Sequence, residues 1–335
     1  MSDSRGHQSR FDTAGRDFLR AHLPALVFDP AADAIWTADA AVQAYLDFYS
    51  INFAQTRAGI THGFGAVEAG GFRIATHYWL PENPKGTLLV VHGYYDHVGL
   101  FGHAIEFGLQ QGFAVLAFDL PGHGLSSGEQ VAIDSFDQYA DVLDVVLTAA
   151  QKILPAAYFA MGQSTGGSVL LNYLWRYDST RSAPLLARIA LCAPLILPRG
   201  WRYSGRFLYA LVHRFIKRMP RGRSRNSHNP DFIHFVDELD CLQSRTLSVR
   251  WVGAMKAWDQ QFRRFPALPD KSVLVLQGTG DQTVAWRYNL EQLARKLPRA
   301  GLHFIEGAGH QLVNESDDYR QQVFAKLQEY FCKLP

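Results

Sequence analysis

From residue 86 onward the chain repeats one pattern: a short apolar run, a loop of small residues, then a longer stretch with helical spacing. The apolar runs are 87–91, 114–118, 157–161, 189–193, 273–277 and 302–305. Most lack polar–apolar alternation, as expected for strands buried on both faces. Helical stretches lie near 98–111, 134–153, 165–177, 286–297 and 316–331. This alternation predicts an α/β protein with a mostly parallel central sheet flanked by helices. In such sheets chemistry gathers in the loops after the carboxyl ends of the strands.

Two regions fall outside the pattern. Residues 1–30 read as a loose lead-in, and 31–53 as a helix carrying Ile35, Val42, Tyr45, Leu46 and Tyr49. A hairpin is expected over 62–80, turning at Ala69-Gly70-Gly71. Residues 196–260 show helical pattern but no convincing strand, and read as a helical cap inserted over the carboxyl edge of the sheet. The expected organisation is an N-terminal lead-in and helix over 1–61, a core over 62–195 and 261–335, and a cap, or lid, over 196–260. The pattern does not disclose what residues 1–53 do.

Composition narrows the function. Hydrophobic residues make up 47% and charged residues 19% of 335, which suits a large buried core. Lys plus Arg is 33 against 31 for Asp plus Glu, a net charge of +2, so a dedicated nucleic-acid binder is not expected. Cys192, Cys241 and Cys332 form no CxxC pair, so no disulfide framework is expected. No apolar leader segment opens the chain and no run is long enough to span a bilayer, so the expected location is cytoplasmic.

The loop after 157–161 is Gly162-Gln163-Ser164-Thr165-Gly166, a GxSxG between a predicted strand and a predicted helix. A sharp turn there lifts the serine hydroxyl clear of the backbone, and only small neighbours avoid a clash. A serine needs a base. His310 lies in Gly307-Ala308-Gly309-His310 after the last strand, and Asp281 lies in Gly278-Thr279-Gly280-Asp281 after 273–277. Ser164, Asp281 and His310 are therefore the catalytic candidates, the acid fixing the imidazole tautomer. The backbone N–H groups of Thr165 and Tyr94 are the oxyanion-hole candidates. His92 and Gly93, which precede Tyr94, are expected to help bind substrate. His92, His97, His103 and His123 match no zinc spacing, so no metal is expected. The Lys of a P-loop is missing and no dinucleotide GxGxxG opens a βαβ unit, so no cofactor is expected.

Taken together these motifs resemble the α/β-hydrolase superfamily, and within it the monoacylglycerol lipase and bacterial lysophospholipase group of serine hydrolases. The residues that carry the likeness are Val90 to His97, Phe118-Asp119-Leu120-Pro121-Gly122-His123-Gly124-Leu125-Ser126, the Ser164 turn, Gly280 to Val284, and Gly309 to Glu315. It covers about residues 62–332 and is weakest over the cap. The family often has His before the serine and Met after it, where this chain has Gln163 and Thr165. The resemblance implies the α/β-hydrolase fold and cleavage of a lipid ester through an acyl-enzyme. A short-chain esterase, a serine aminopeptidase on the same fold, and a non-enzymatic binding protein remain alternatives.

Residues 195–225 carry nine Arg or Lys and no Asp or Glu. Within them Leu208, Leu211, Val212, Phe215, Ile216 and Met219 are spaced as one face of a basic amphipathic helix. Its apolar face is expected on the site and its basic face in water. Peripheral membrane contact through the basic stretch 199–225 is a further expectation, with a small lipid or ester as substrate.

Overall fold

The computed structural model describes residues 11–222 and 225–332. Arg223 of the basic stretch lies outside them. In chain order the helices and strands are α1 (Thr13–His22), α2 (Pro30–Thr37), α3 (Ala40–Phe48), α4 (Phe53–Thr56), β1 (Ile60–Ala69), β2 (Phe72–Pro81), β3 (Thr87–Val91), α5 (Gly102–Gln110), β4 (Ala114–Phe118), α6 (Phe136–Ala150), β5 (Tyr158–Gln163), α7 (Thr165–Arg176) and β6 (Leu186–Cys192). They continue with α8 (Arg206–Val212), β7 (Arg218–Pro220), α9 (Pro230–His234), β8 (Thr246–Ser248), α10 (Val249–Arg264), β9 (Val273–Gly278), α11 (Trp286–Lys296), β10 (Gly301–Ile305) and α12 (Asp317–Cys332).

Eight strands form one sheet in the order β1-β2-β4-β3-β5-β6-β9-β10. The hairpin β1–β2 and the β2–β4 pair are antiparallel; all other pairs are parallel. From β3 the chain first steps to β4 on one side and later to β5 on the other. The order therefore reverses at β3, and a crevice opens beyond the carboxyl ends of β3 and β5.

Successive side chains of a strand point to opposite faces, so one apolar run feeds two cores. Leu89 and Val91 of β3 join α6, α7 and α10 through Leu143, Leu170 and Trp258. Leu88 and Val90 join α3, α5 and α12 through Leu46, Ile105 and Leu327. Phe11, Leu19, Val42 and Tyr45 belong to that second cluster and Leu26 and Phe28 to the first, so the segment ahead of the hairpin is packed into both cores.

Two expectations are corrected. The single helix over 31–53 is divided, because Asp39 takes an extended conformation and its carboxylate caps α3 through the Ala41 N–H at 2.8 Å. The basic amphipathic helix is only α8. Residues 218–220 are drawn into a two-stranded ribbon with β8, and Val249 N–H donates to Lys217 O at 3.0 Å. The apolar side chains of the stretch do not face the site: Phe207, Leu208, Leu211 and Phe215 are exposed.

One buried polar cluster ties three segments together. His97, in the loop after β3, bonds Asp240 Oδ2 through Nε2 at 2.9 Å. Tyr49, after α3, donates its hydroxyl to Asp240 Oδ1 at 2.8 Å. Burial opposes the charge on His97, but the Asp240 carboxylate outweighs it and the pKa is raised; Asp240 is correspondingly lowered against its own desolvation. The His97 contribution to stability is thus complete below the ordinary imidazole value and fades as pH rises through the raised one. The Asp240 contribution is complete above the ordinary carboxylate value and fades as pH falls through the lowered one. Asp240→Asn leaves the imidazole without its counter-charge and should cost about 3–5 kcal/mol in urea unfolding between those limits. An unchanged urea midpoint near pH 6 would disprove this account of the pair.

Candidate active site

Ser164 sits between β5 and α7 at φ 55° and ψ −112°, a backbone conformation that L-residues rarely adopt. Two close approaches make the turn possible. A Cβ on Gly162 would lie 2.6 Å from Gly166 C, and one on Gly166 would lie 2.1 Å from Val91 O. Only glycine fits either place. Ser164 N–H donates to Cys192 O at 2.8 Å, and Leu195 N–H donates to Ser164 O at 3.0 Å, so β6 and its following loop hold the turn from behind.

The structure brings the three side-chain candidates together. Ser164 Oγ lies 2.9 Å from His310 Nε2, and His310 Nδ1 lies 2.8 Å from Asp281 Oδ2. All three are buried. Burial opposes the imidazolium, but the Asp281 charge and hydrogen bond, with help from Asp96, raise the His310 pKa. Desolvation works against the Asp281 carboxylate, yet His310 and the N–H groups of Thr283 and Val284 hold its pKa low. An ionised acid beside Nδ1–H leaves Nε2 free to accept a proton from the serine.

The loop after β3 runs beside the serine. A Cβ on Gly93 would lie 3.4 Å from Ser164 Cβ and 2.8 Å from Asp96 Oδ2. Tyr94 follows Gly93 in this loop, and Thr165 follows Ser164 as the first residue of α7. The Tyr94 side chain braces this loop: it stacks on Trp251 at 3.8 Å between centroids and donates its hydroxyl to Val131 O at 2.7 Å. His92 is not aimed at a ligand. Its Nδ1 bonds Gly93 O at 2.8 Å and its Nε2 accepts from Leu120 N–H at 2.9 Å, while burial drives its pKa well below the ordinary value. The neutral ring links the loops after β3 and β4. Asp119 likewise orders a turn, accepting from Val98 and Leu125 N–H, each at 2.7 Å.

Further side chains and backbone groups brace the site. Gln163 donates to His310 O at 2.8 Å, and Gln277 donates to Asp281 Oδ2 at 3.1 Å. Asn226 O accepts from both His310 and Gln311 N–H, at 2.9 and 2.8 Å. Buried Glu315 accepts from Gly309 N–H at 2.6 Å and His228 N–H at 2.7 Å, fixing the loop that carries the histidine. The quoted Gly309–Glu315 motif contained that signal; the contacts from 226–228 did not have one.

Next to the loop that carries the histidine lies a largely polar chamber of about 120 Å³, lined by Asp96, Gln311, Arg221, Gln243, Asn226 and Asp237 and by the apolar Phe232, Ile233 and Val236; Ser164 and His310 do not line it. Gln311 donates to both Asp96 oxygens, at 3.2 and 3.1 Å. Gln311 Oε1 and Gln243 Nε2 are buried without a hydrogen-bond partner among the described residues. Burial raises the Asp96 pKa above the usual carboxylate value.

An eight-stranded, mostly parallel sheet with a strained serine turn and a serine–histidine–acid relay at its switch point defines an α/β-hydrolase. A family model described as "Serine aminopeptidase, S33" matches residues 82–317, and the chain belongs to that family. It is 32% identical over 134 residues to a monoacylglycerol lipase of Mycolicibacterium smegmatis, covering 39% of this chain and 47% of that protein. The aligned region thus spans about half the length of that relative. It is 25% identical over 255 residues to phospholipase YtpA of Bacillus subtilis, covering 73% of this chain and 95% of that one. A solved structure of a soluble variant of monoglyceride lipase from Saccharomyces cerevisiae, in complex with a substrate analog, superposes with a TM-score of 0.66 at 18% identity. It covers 80% of this chain and 93% of that chain, and the likeness is one of fold.

A histidine acting as base must be neutral, so activity rises as pH passes upward through its pKa. Ester turnover by the wild type, read as kcat/KM, should titrate above the ordinary imidazole value of about 6.5. Asp281→Asn should move that limb to lower pH and cut kcat by about 10³–10⁴ through the wrong tautomer. A limb that stays in place in the variant would show that Asp281 does not set the histidine's proton affinity.

Proposed function

We propose that this chain is a serine hydrolase that cleaves the carboxylic ester of a monoacylglycerol or lysophospholipid through an acyl-enzyme. The observation that carries the reading is the unbroken relay from Ser164 Oγ through His310 to Asp281. As Oγ bonds to the ester carbonyl carbon, its proton passes to His310 Nε2 and the carbonyl electron pair moves onto oxygen. The Tyr94 and Thr165 N–H groups receive that oxyanion. Collapse breaks the bond to the alcohol, which leaves with the proton from His310. Water then gives a proton to His310 and its oxygen to the acyl carbon; the fatty acid departs and Ser164 regains its hydrogen.

The polar chamber next to the histidine loop suits a hydroxylated or zwitterionic alcohol portion. Its unpartnered Gln311 and Gln243 atoms would find hydrogen-bond partners there. The aminopeptidase reading needs a carboxylate free to hold a substrate amine. Asp240 is already bound to His97 and Tyr49. Asp96 and Asp237 share the chamber with Arg221 and Arg245, so it carries no acidic excess. The ester reading is favoured for that reason, and its lipid character is supported by the similarity to the lipase and the phospholipase.

A lipid substrate also suits the surface around α8. Tyr203, Phe207 and Phe215 are 88%, 69% and 85% exposed, with Arg214 and Lys217 nearby in the chain. Among the described residues no helix is long and apolar enough to cross a membrane. The reading is therefore peripheral contact: aromatic side chains enter the headgroup boundary and cations meet anionic lipid.

Ser164→Ala should keep the fold, lose labelling by a fluorophosphonate, and lose at least about 10³-fold in turnover. Serine-dependent release of long-chain acid from monoacylglycerol, lysophosphatidylcholine or lysophosphatidylglycerol is the expected result. Turnover confined to short p-nitrophenyl esters or an aminoacyl anilide would overturn the lipid assignment, and no serine-dependent turnover at all would leave a binding protein. Separately, Phe207→Ser with Phe215→Ser should weaken co-sedimentation with phosphatidylglycerol vesicles by about tenfold. Unchanged sedimentation would rule out this face as the membrane contact.

A further inference from the structure

A second cavity, of about 560 Å³, lies between the turn that opens α8 and the helices α10 and α11. Neither Ser164 nor His310 lines it. Its size falls in the range of small-molecule sites. Five cations line it and only two carboxylates, and both carboxylates are already engaged. Asp259 pairs with Arg263 at 3.1 Å and accepts the Tyr288 hydroxyl at 2.7 Å. Glu291 pairs with Arg295 at 2.5 Å.

That leaves Arg202, Arg206 and Lys256 around one concavity with no ion pair among the described residues. Two of them are held by aromatic faces instead. The Arg202 guanidinium sits 5.2 Å from the Tyr288 ring centroid, and Lys256 Nζ sits 5.6 Å from that of Tyr209. Ring contacts position a cation without neutralising it. Three like charges facing one cavity repel one another, and an anion bound among them would relieve that repulsion.

We propose that this cavity is a binding site for a phosphate group. A carboxylate offers two oxygens and a single charge. A phosphate monoester offers three oxygens and nearly two charges, matching two planar guanidinium forks and one ammonium. The site shares Arg202 and Tyr288 with a neighbouring cleft of about 430 Å³ that also carries Arg199 and Arg287; the one carboxylate lining that cleft, Asp281, is engaged by His310, so the cationic lining continues beyond one pocket. The phosphate could be that of a free phosphomonoester or that of a lipid headgroup, since α8 carries the exposed aromatic Phe207 next to Arg206. The inference does not depend on which ester Ser164 attacks.

The test uses the full chain and two probes, glycerol 3-phosphate in titration calorimetry and phosphatidylcholine vesicles with and without phosphatidic acid. Each is measured on the wild type, on Arg202→Ala/Arg206→Ala/Lys256→Ala, and on a control triple, Lys152→Ala/Arg299→Ala/Lys326→Ala, that removes the same charge elsewhere. Arg202 and Arg206 are exposed, so the fold should tolerate their loss; circular dichroism and a melting curve check it, and Arg206→Ala alone serves if the triple does not fold. Binding of glycerol 3-phosphate that falls about tenfold or more in the cleft variant, and not in the control, supports a soluble phosphomonoester. The same loss seen only in the phosphatidic-acid-dependent part of vesicle binding supports a headgroup. No binding of either probe by the wild type, or equal losses in both triples, overturns the proposal.

Discussion

The backbone of Ser164 is the constraint on which the rest of the site depends. A residue at φ 55° and ψ −112° costs of order 1–3 kcal/mol and persists only where its surroundings leave no alternative. Here the surroundings are specific. The turn is bonded to the ends of β6 on one side, and α7 begins at once on the other. Gly166 passes so close to Val91 O that β3, β5 and α7 meet at one point. The hydroxyl is thereby fixed at the switch point, within reach of loops from β3, β9 and β10. Those loops supply the Gly93–Tyr94 backbone, Asp281 and His310.

Burial then sets the chemistry. Each carboxylate close to the serine is desolvated, and the partners it finds decide its charge. Asp281 has the imidazole and two backbone N–H groups, which outweigh desolvation and hold it ionised. Asp96 has chiefly the Gln311 amide, which does not, and its proton affinity rises. Two buried acids on either side of one histidine are thus driven in opposite directions. Only Asp281 is bonded to Nδ1, so the polarity of the relay is fixed toward Ser164. His92 is kept neutral by burial and is spent on joining two loops, so it does not compete as a base.

Features that live in local backbone chemistry were legible in the sequence. The strands 87–91 and 114–118 are short apolar runs, and their bounds match β3 and β4. Ser164, Asp281 and His310 each follow a strand and sit among glycines, and the structure brings the three side chains into one relay. Features set by distant partners were not legible. Periodicity over 31–53 carries no sign that Asp39 will turn the chain to cap a new helix. The helical spacing of 208–219 is real, but pairing of 218–220 with 246–248 ends α8 early and leaves its apolar side chains in water. Asp240 and His97 are 143 residues apart, and no local rule joins them.

The braces of the site divide unevenly along the chain. The Ser164 turn is held by β6, by the loop that follows it and by α7. The histidine loop hangs on Asn226 O and on Glu315, which itself binds the backbone of His228. The loop that carries Tyr94 is clamped by Trp251 stacked on Tyr94 and by the Arg221 guanidinium 4.1 Å from the Tyr95 ring centroid. The described residues of 221–251 thus brace both the histidine loop and the loop that carries Tyr94. Sequence change in that segment can shift where the imidazole and the Gly93–Tyr94 backbone stand while the strained turn stays intact. An arrangement of this kind separates the strained turn from the loops that aim its partners. The segment that aims those loops also lines most of the chamber beside them, so one stretch of chain sets both the loop positions and the cavity wall.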